Sequence, residues 1–509
     1  MDTFYNKHEL SDMENPDLEE PHDTENIPEA NTSPLLNKLR QNYGFFGGLS
    51  LVFGMMATLL FYKAGIGLNS FLFTITMVII LMIVSKKLKV SVTKGTSFCF
   101  LGAILLGLSN VLTASDVLQF LNSIGILLLL EVSLIRLFYA RETVNLAEDL
   151  YHIVKLPFKA LFSFGMFFAD GSRYVKDKKL IRNEKLRYIL AGGLIAIPLL
   201  VVAAALLSSA DLLFGKITKA MFEWILYPDF YTIILLIIAG TLFCYGLLCG
   251  AARENTAAMQ TKAKANSTVG ITIATLLLLL YLLFCGIQIL YLFAGGLFGL
   301  PEQLTYSEYA RHGFFELLTV TCFNIALILI CVNVFEESRW LKTLLTAITA
   351  CTYIMIASAA YRMLLYIGAY HLTFLRLFVL LFLLIDALLL AGIIISLYNK
   401  AFPLFGYSVA VISLCYIIFS FSKPDYYIAD YLVTHAKEIK EEDIIFLTTE
   451  LSYDAASVTV PLLEKQYDED MMPYYIDSYY KNVRTRINSL DIREYNYSYS
   501  KAMKLIKQQ

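Results

Sequence analysis

The stretch FLRLFVLLFLLIDALLLAGIII, residues 374–395, is longer than any apolar run that a soluble core needs, and similar runs recur along the chain. About 20 such residues in a helix rise about 30 Å, the thickness of bilayer hydrocarbon. In lipid every backbone amide and carbonyl must pair within the protein, which leaves helices or a closed barrel. These runs lack the alternation of barrel strands. Hydrophobic residues make up 57% of the 509 and charged residues 17%, with a mean hydropathy of +0.61, whereas a soluble domain carries about 25% charged residues. The expected fold class is all-α, a polytopic helical membrane protein.

Eleven spans are expected, near 44–62, 68–85, 96–113, 117–139, 187–208, 230–251, 268–297, 313–335, 343–361, 373–398 and 403–421. The seventh is long enough to tilt or to end in an interfacial turn at AGGLFGLP. No internal repeat is visible, so nothing supports an inverted-repeat transporter. Five regions follow: an acidic tail (1–43), a four-helix membrane segment (44–139), a basic loop (140–186), a seven-helix membrane domain (187–421) and a Tyr-rich helical region (422–509). The tail has too few large apolar groups to offset its ordering entropy and is expected to be disordered. No cleavable signal peptide is read at the start.

Lys and Arg concentrate in residues 86–94, 140–186, 252–267, 336–342 and 399–402. These loops and the N-terminus are expected on the cytoplasmic side of the cell membrane. An odd number of spans then places 422–509 outside. LPFKALFSFGMFFA (156–169) is apolar but too short to span, and the basic RYVKDKKLIRNEKLR (173–187) follows it. The pair is expected to lie on anionic lipid headgroups over 155–187, in preference to binding nucleic acid. A protein partner would be reached through 422–509 or the acidic tail.

Signatures of catalysis are absent: no phosphate loop, no H-E-x-x-H and no G-x-S-x-G. All eight cysteines fall inside expected spans without C-x-x-C spacing. No cofactor, metal or enzymatic activity is therefore expected. A charge inside a span is a functional hypothesis by default. Asp386 either relays a proton or cation, or locks two helices through a hydrogen bond. Arg362, Tyr366, Tyr370, His371, Thr373 and Arg376 surround an expected outer turn at 362–372. The two arginines there could clamp an anionic headgroup or carboxylate, or anchor helix ends. His371 has no evident nucleophile beside it. Glu131 and Arg136, in LLLLEVSLIRLFY, lie towards the cytoplasmic end, where Arg136 can snorkel.

Glu308, His312 and Glu316 recur at helical spacing, with Arg311 three residues from Glu308. That pattern could ligate a metal. The expectation is a structural collar instead, with Arg311 bonded to Glu308 or to a carboxylate on another helix. Glu316 would then bond a donor inside the bundle. The tyrosines after residue 421 either pack small helices or stack on sugars.

The segments LLSSADLLFGK, FCGIQILYLFAGG, LTYSEYARHGFFELL, YRMLLYIGAYHLTFLRL, KPDYYIADY, LSYDAASVTVPLL and DIREYNYSYSKAM form an ordered series over about residues 185–509. Together they resemble a bacterial membrane family of unknown function, domain of unknown function 4173, related to 4153. In that pattern the turn reads Gly-Leu-Thr where this chain has His371, Leu372 and Thr373, and the position of His312 varies. Both departures weigh against catalytic or metal roles for the two histidines. The resemblance implies a bacterial plasma membrane protein and transfers no activity. The expected function is non-enzymatic: envelope regulation, sensing or assembly. The alternative is a transporter or lipid-handling protein using Asp386 and the Arg362/Arg376 cluster, and a membrane-embedded transferase ranks third.

Overall fold

The computed structural model describes residues 33–139, 146–178, 228–253, 264–293, 314–468 and 473–507, with short stretches between 192 and 217. Among these residues the protein is an all-α membrane protein, with ten helices long and apolar enough to cross a bilayer. The helices are α1 (Pro34–Gln41), α2 (Tyr43–Phe61), α3 (Leu68–Leu88), α4 (Lys94–Leu112), α5 (Asp116–Phe138), α6 (Leu146–Phe162) and α7 (Phe164–Asp177). They continue as α8 (Pro228–Ala252), α9 (Ser267–Phe293), α10 (Phe314–Val334), α11 (Arg339–Tyr370), α12 (Phe374–Tyr398) and α13 (Leu404–Phe421). A final group follows: α14 (Pro424–His435), α15 (Glu441–Thr449), α16 (Ala456–Asp468), α17 (Pro473–Ser489) and α18 (Tyr497–Lys507).

Two apolar cores organise the spans. The first gathers α1–α8, and the second gathers α9–α12. Helix α13 joins them, packing on α12 and on α4. Small residues let backbones meet, as membrane helix packing requires. A Cβ on Gly54 of α2 would lie 2.4 Å from the Ile237 carbonyl oxygen of α8. One on Gly246 of α8 would lie 2.5 Å from the Ala160 carbonyl oxygen of α6. Only glycine permits either approach.

The connectivity separates two faces. One carries the α1 end, the Lys86–Lys94 turn, the α6–α7 pair, and Glu337 with its partners Lys342 and Lys400. This basic face also holds Asp170 of α7, which pairs with Arg40 at 3.2 Å and accepts from Tyr245. Helices α6 and α7 meet at a 55° bend, and both rest on the α8 end near Ala160, Phe164 and Gly246. The opposite face carries the turns at 62–67, 113–115 and 371–373. Asp229 at the start of α8 pairs there with Lys63 at 2.7 Å. The chain therefore leaves α7 on the basic face and enters α8 on the opposite one. The expected span at 187–208 lies largely outside the described residues, as does the acidic tail up to residue 32.

One helix end departs from the sequence reading. The sequence places span 343–361 before an outer turn at 362–372 that begins with Arg362. Instead α11 runs for 32 residues to Tyr370, and the turn shrinks to His371, Leu372 and Thr373. The helix continues because Arg362 is only 8% exposed and finds a partner inside the bundle.

Candidate functional site

The sequence-selected residues fall into separate settings. Asp386 of α12 is 3% exposed, and Thr321 of α10 donates to its Oδ2 at 2.7 Å. Around the same helices Tyr281 donates to Asn324 Oδ1 (2.6 Å), and Asn324 donates to Thr352 Oγ1 (2.9 Å). Nearer the opposite face, Gln288 Oε1 accepts from Ser358 (2.8 Å) and from Arg362 Nη2 (3.2 Å). This ladder ties α9, α10, α11 and α12 together, since a polar group in lipid costs free energy unless it is paired. Asp386 lines none of the cavities described below.

Arg362 and Arg376 are held in different ways. Arg376 Nη1 donates to the Tyr370 carbonyl at 2.7 Å and to that of His371, and its guanidinium stacks 4.1 Å from the Tyr366 ring. It caps α11 and fixes the turn. His371 holds φ 67° and ψ 173°, a region that suits glycine and strains other residues. Its position is explained by the turn rather than by chemistry. Glu308, Arg311 and His312 lie outside the described residues. Glu316 stands exposed in the first turn of α10 and lines a cavity of about 350 Å³ with Tyr281, Gln288 and Arg362. Among the described residues no three His, Cys, Asp or Glu side chains come together as a metal site needs.

The site the sequence did not reveal is on the opposite face. There the C-terminal helices dock onto the ends of the spans through a dense set of hydrogen bonds. Asp454 accepts from Thr113 Oγ1 (2.5 Å) and from the Ala114 amide (2.9 Å) in the α4–α5 turn. Asn496 donates to the Asn110 and Thr113 carbonyls, and Ser498 donates to that of Leu112. On the α2–α3 turn, Glu494 accepts from the Gly65 amide, Tyr495 O accepts from the Leu68 amide, and Arg493 donates to the Leu59 and Tyr62 carbonyls. A Cβ at Gly67 would lie 2.6 Å from Glu494 backbone. These are the carbonyls and amides that a helix end leaves unsatisfied, so docking completes the spans themselves.

Beneath this layer the polar chain continues inward. Asn110 donates to Ser70, Asn122 donates to Asn110, and Tyr416 and Ser420 donate to Asn122, each within 2.9 Å. It links α3, α4, α5 and α13.

Docking leaves a cleft of about 540 Å³ between the two layers. Asp116 and Phe374 contribute from the spans, and Asp425, Glu450, Tyr453 and Asn482 from the C-terminal helices. Tyr453 holds the aromatic wall, with ring centroids 5.4 Å from Tyr479 and 5.3 Å from Tyr499. Burial raises the Asp425 carboxyl above its ordinary value; nearby Asp454 adds to this, while the Ser452 contact opposes it. Burial likewise raises the Tyr453 and Tyr499 hydroxyls. Among the described residues no His, Cys, Lys or Arg lines the cleft. It offers carboxylates, an amide, hydroxyls and ring faces for recognition.

Sequence reasoning missed this site because its walls lie more than 300 residues apart. A signal did exist: KPDYYIADY, LSYDAASVTVPLL and DIREYNYSYSKAM contain Asp425, Asp454, Glu494, Asn496 and Ser498, which form the dock. No curated protein and no solved structure matches the chain. A family match begins within α4 and ends within α16, reaching further towards the N-terminus than the motif series and leaving α17 and α18 beyond it. Residues 100–462 match the family described as Domain of unknown function (DUF4153), and this integral membrane protein belongs to it.

Proposed function

We propose that the protein is a non-enzymatic sensing or regulatory component of the bacterial cell envelope. Its docked C-terminal helices recognise a polar ligand at the outer membrane–water boundary. The observation that carries the reading is the cleft at the junction, where a bound molecule would touch the spans and the extramembrane helices at once. A ligand there biases how the two layers sit, which is what a sensor requires. Lys and Arg crowd the loops of the other face, which supports placing that face in the cytoplasm and the cleft outside. Lys155 and Lys159 of α6 and Arg173 and Lys176 of α7 suit anionic headgroups on the basic face. The narrower kinship with domain 4173 belongs to the same proposal and rests on the motif series.

Native mass spectrometry of protein released from its own membranes tests the reading. The wild type should carry a bound molecule that is absent from Ser478→Trp, a substitution that fills the cleft. Helix content and melting temperature should hold in both. An adduct retained by Ser478→Trp, or no adduct on the wild type, would overturn it. The second reading, lipid handling, draws on the cavity shared by Arg362, Gln288 and Glu316. Loss of a copurified anionic lipid in Arg362→Gln would favour it.

A further inference from the structure

A different cavity opens within the first core, between α2, α3, α5 and α8, with Pro157 of α6 at its rim. It holds about 400 Å³, within the range of small-molecule sites. Phe53, Phe73, Met77, Leu127, Phe243 and Leu247 are typical of its walls. Among the described residues Glu131 is the one carboxyl that lines it, and no described Lys, Arg or His lines it to pair with Glu131. Its Oε1 is out of contact with solvent and has no hydrogen-bond partner. Seven residues separate it from the end of α5, about 10 Å along the helix axis, so it lies within the hydrocarbon layer.

An unpaired carboxyl oxygen in such surroundings is costly to keep. A satisfied lock explains Asp386 but not Glu131. The cavity is also not closed: Leu127 on its wall is 60% exposed, and Ile124, Leu128 and Phe243 are partly exposed beside it. On a spanning helix that exposure faces acyl chains, which gives a route in from the bilayer.

We propose that this cavity binds a lipophilic amine, a bilayer-dissolved molecule with an apolar body and one small nitrogen head that donates to Glu131. The walls fix the body as hydrocarbon or aromatic. The unpaired acceptor calls for a donor, and an amine head can also take the carboxyl proton and pair with the carboxylate it leaves. A phosphate or carboxylate head brings a second acid and no base to do so. A sugar or phospholipid head would need several polar partners, and no Ser, Thr, Asn or Gln among the described residues lines the cavity. The site is separate from the cleft on the opposite face, and neither proposal depends on the other.

The test uses the full chain in lipid nanodiscs, photolabelled by a decylamine analogue with a diazirine in its tail. Label should map to peptides of α5 and α8. Decylamine should compete at about tenfold or more lower concentration than decanol, the advantage expected for one charge-assisted hydrogen bond. Decanoate should compete no better than decanol. In Glu131→Gln the preference for decylamine should vanish while melting temperature and weak decanol competition remain. Leu247→Trp should abolish labelling of both peptides. Equal competition by the amine and the alcohol in the wild type, a preserved preference in Glu131→Gln, or labelling elsewhere would each overturn the assignment.

Discussion

Asp386 and Glu131 are both carboxyls set well inside strongly apolar helices, and the fold treats them in opposite ways. Asp386 is packed, accepts from Thr321 on the adjacent helix and lines none of the described cavities. Glu131 borders an apolar cavity and leaves one oxygen unpaired. A charge in a span is therefore not a function in itself. The partner decides whether it fastens helices or awaits a ligand.

The largest expected effect breaks the Asp386 side of this contrast. Asp386→Leu removes the interhelical acceptor of Thr321, leaving its hydroxyl the Leu318 carbonyl of its own helix, and forces a bulkier side chain into the packed site; it should cost about 2–5 kcal/mol in thermal unfolding of the purified protein. Thr321→Val, which orphans the carboxyl, should cost about 1–3 kcal/mol. The double variant should cost less than the sum, because neither group is then left unpaired. Additive losses would show that the bond does not lock α10 to α12.

His371→Gly removes left-handed strain at the turn that Arg376 caps, and should raise stability by about 1 kcal/mol. A loss there would mean that the imidazole, not the backbone, matters at this position. Glu131→Leu supplies the contrast: with no partner to strand, it should leave stability unchanged or raise it by about 1 kcal/mol. A fall as large as that of Asp386→Leu would erase the distinction between the two carboxyls.

Asp425 is the intermediate case, buried outside the spans with the Ser452 amide as a weak partner at 3.3 Å. Its raised pKa means that the folded state holds the proton more tightly than the unfolded chain. Stability should therefore increase as pH falls through the folded pKa, and the gain should level off below the unfolded value near 3.8. Asp116 and Glu450 share its cleft, Asp454 raises its pKa further, and Lys423 stands two residues before it. Asp425→Asn should flatten this slope in melts taken from pH 7 to pH 4. An unchanged slope would locate the titration elsewhere.

Much of the architecture was legible in the sequence because a span announces itself over about 20 residues. Ten expected spans correspond to ten described helices. The end of α11 was not legible, since Arg362 reads as a boundary until Gln288 is placed beside it. Nor was the contrast between Asp386 and Glu131, since Thr321 lies 65 residues from Asp386. The dock was hidden for the same reason: Asn496 meets Asn110 across 386 residues. Hydropathy records what faces lipid, whereas these sites depend on which distant groups meet.

The most direct measurement of the account places a photoreactive benzoylphenylalanine at Tyr495 in cells making the full chain. Its backbone carbonyl meets the Leu68 amide, so cross-links should map to residues 59–68 of the α2–α3 turn. A membrane-impermeant reagent should also label a cysteine placed at Ser478 in intact cells. Cross-links confined to the basic face, or a Ser478 cysteine labelled only after lysis, would contradict a C-terminal layer docked outside on the ends of the spans.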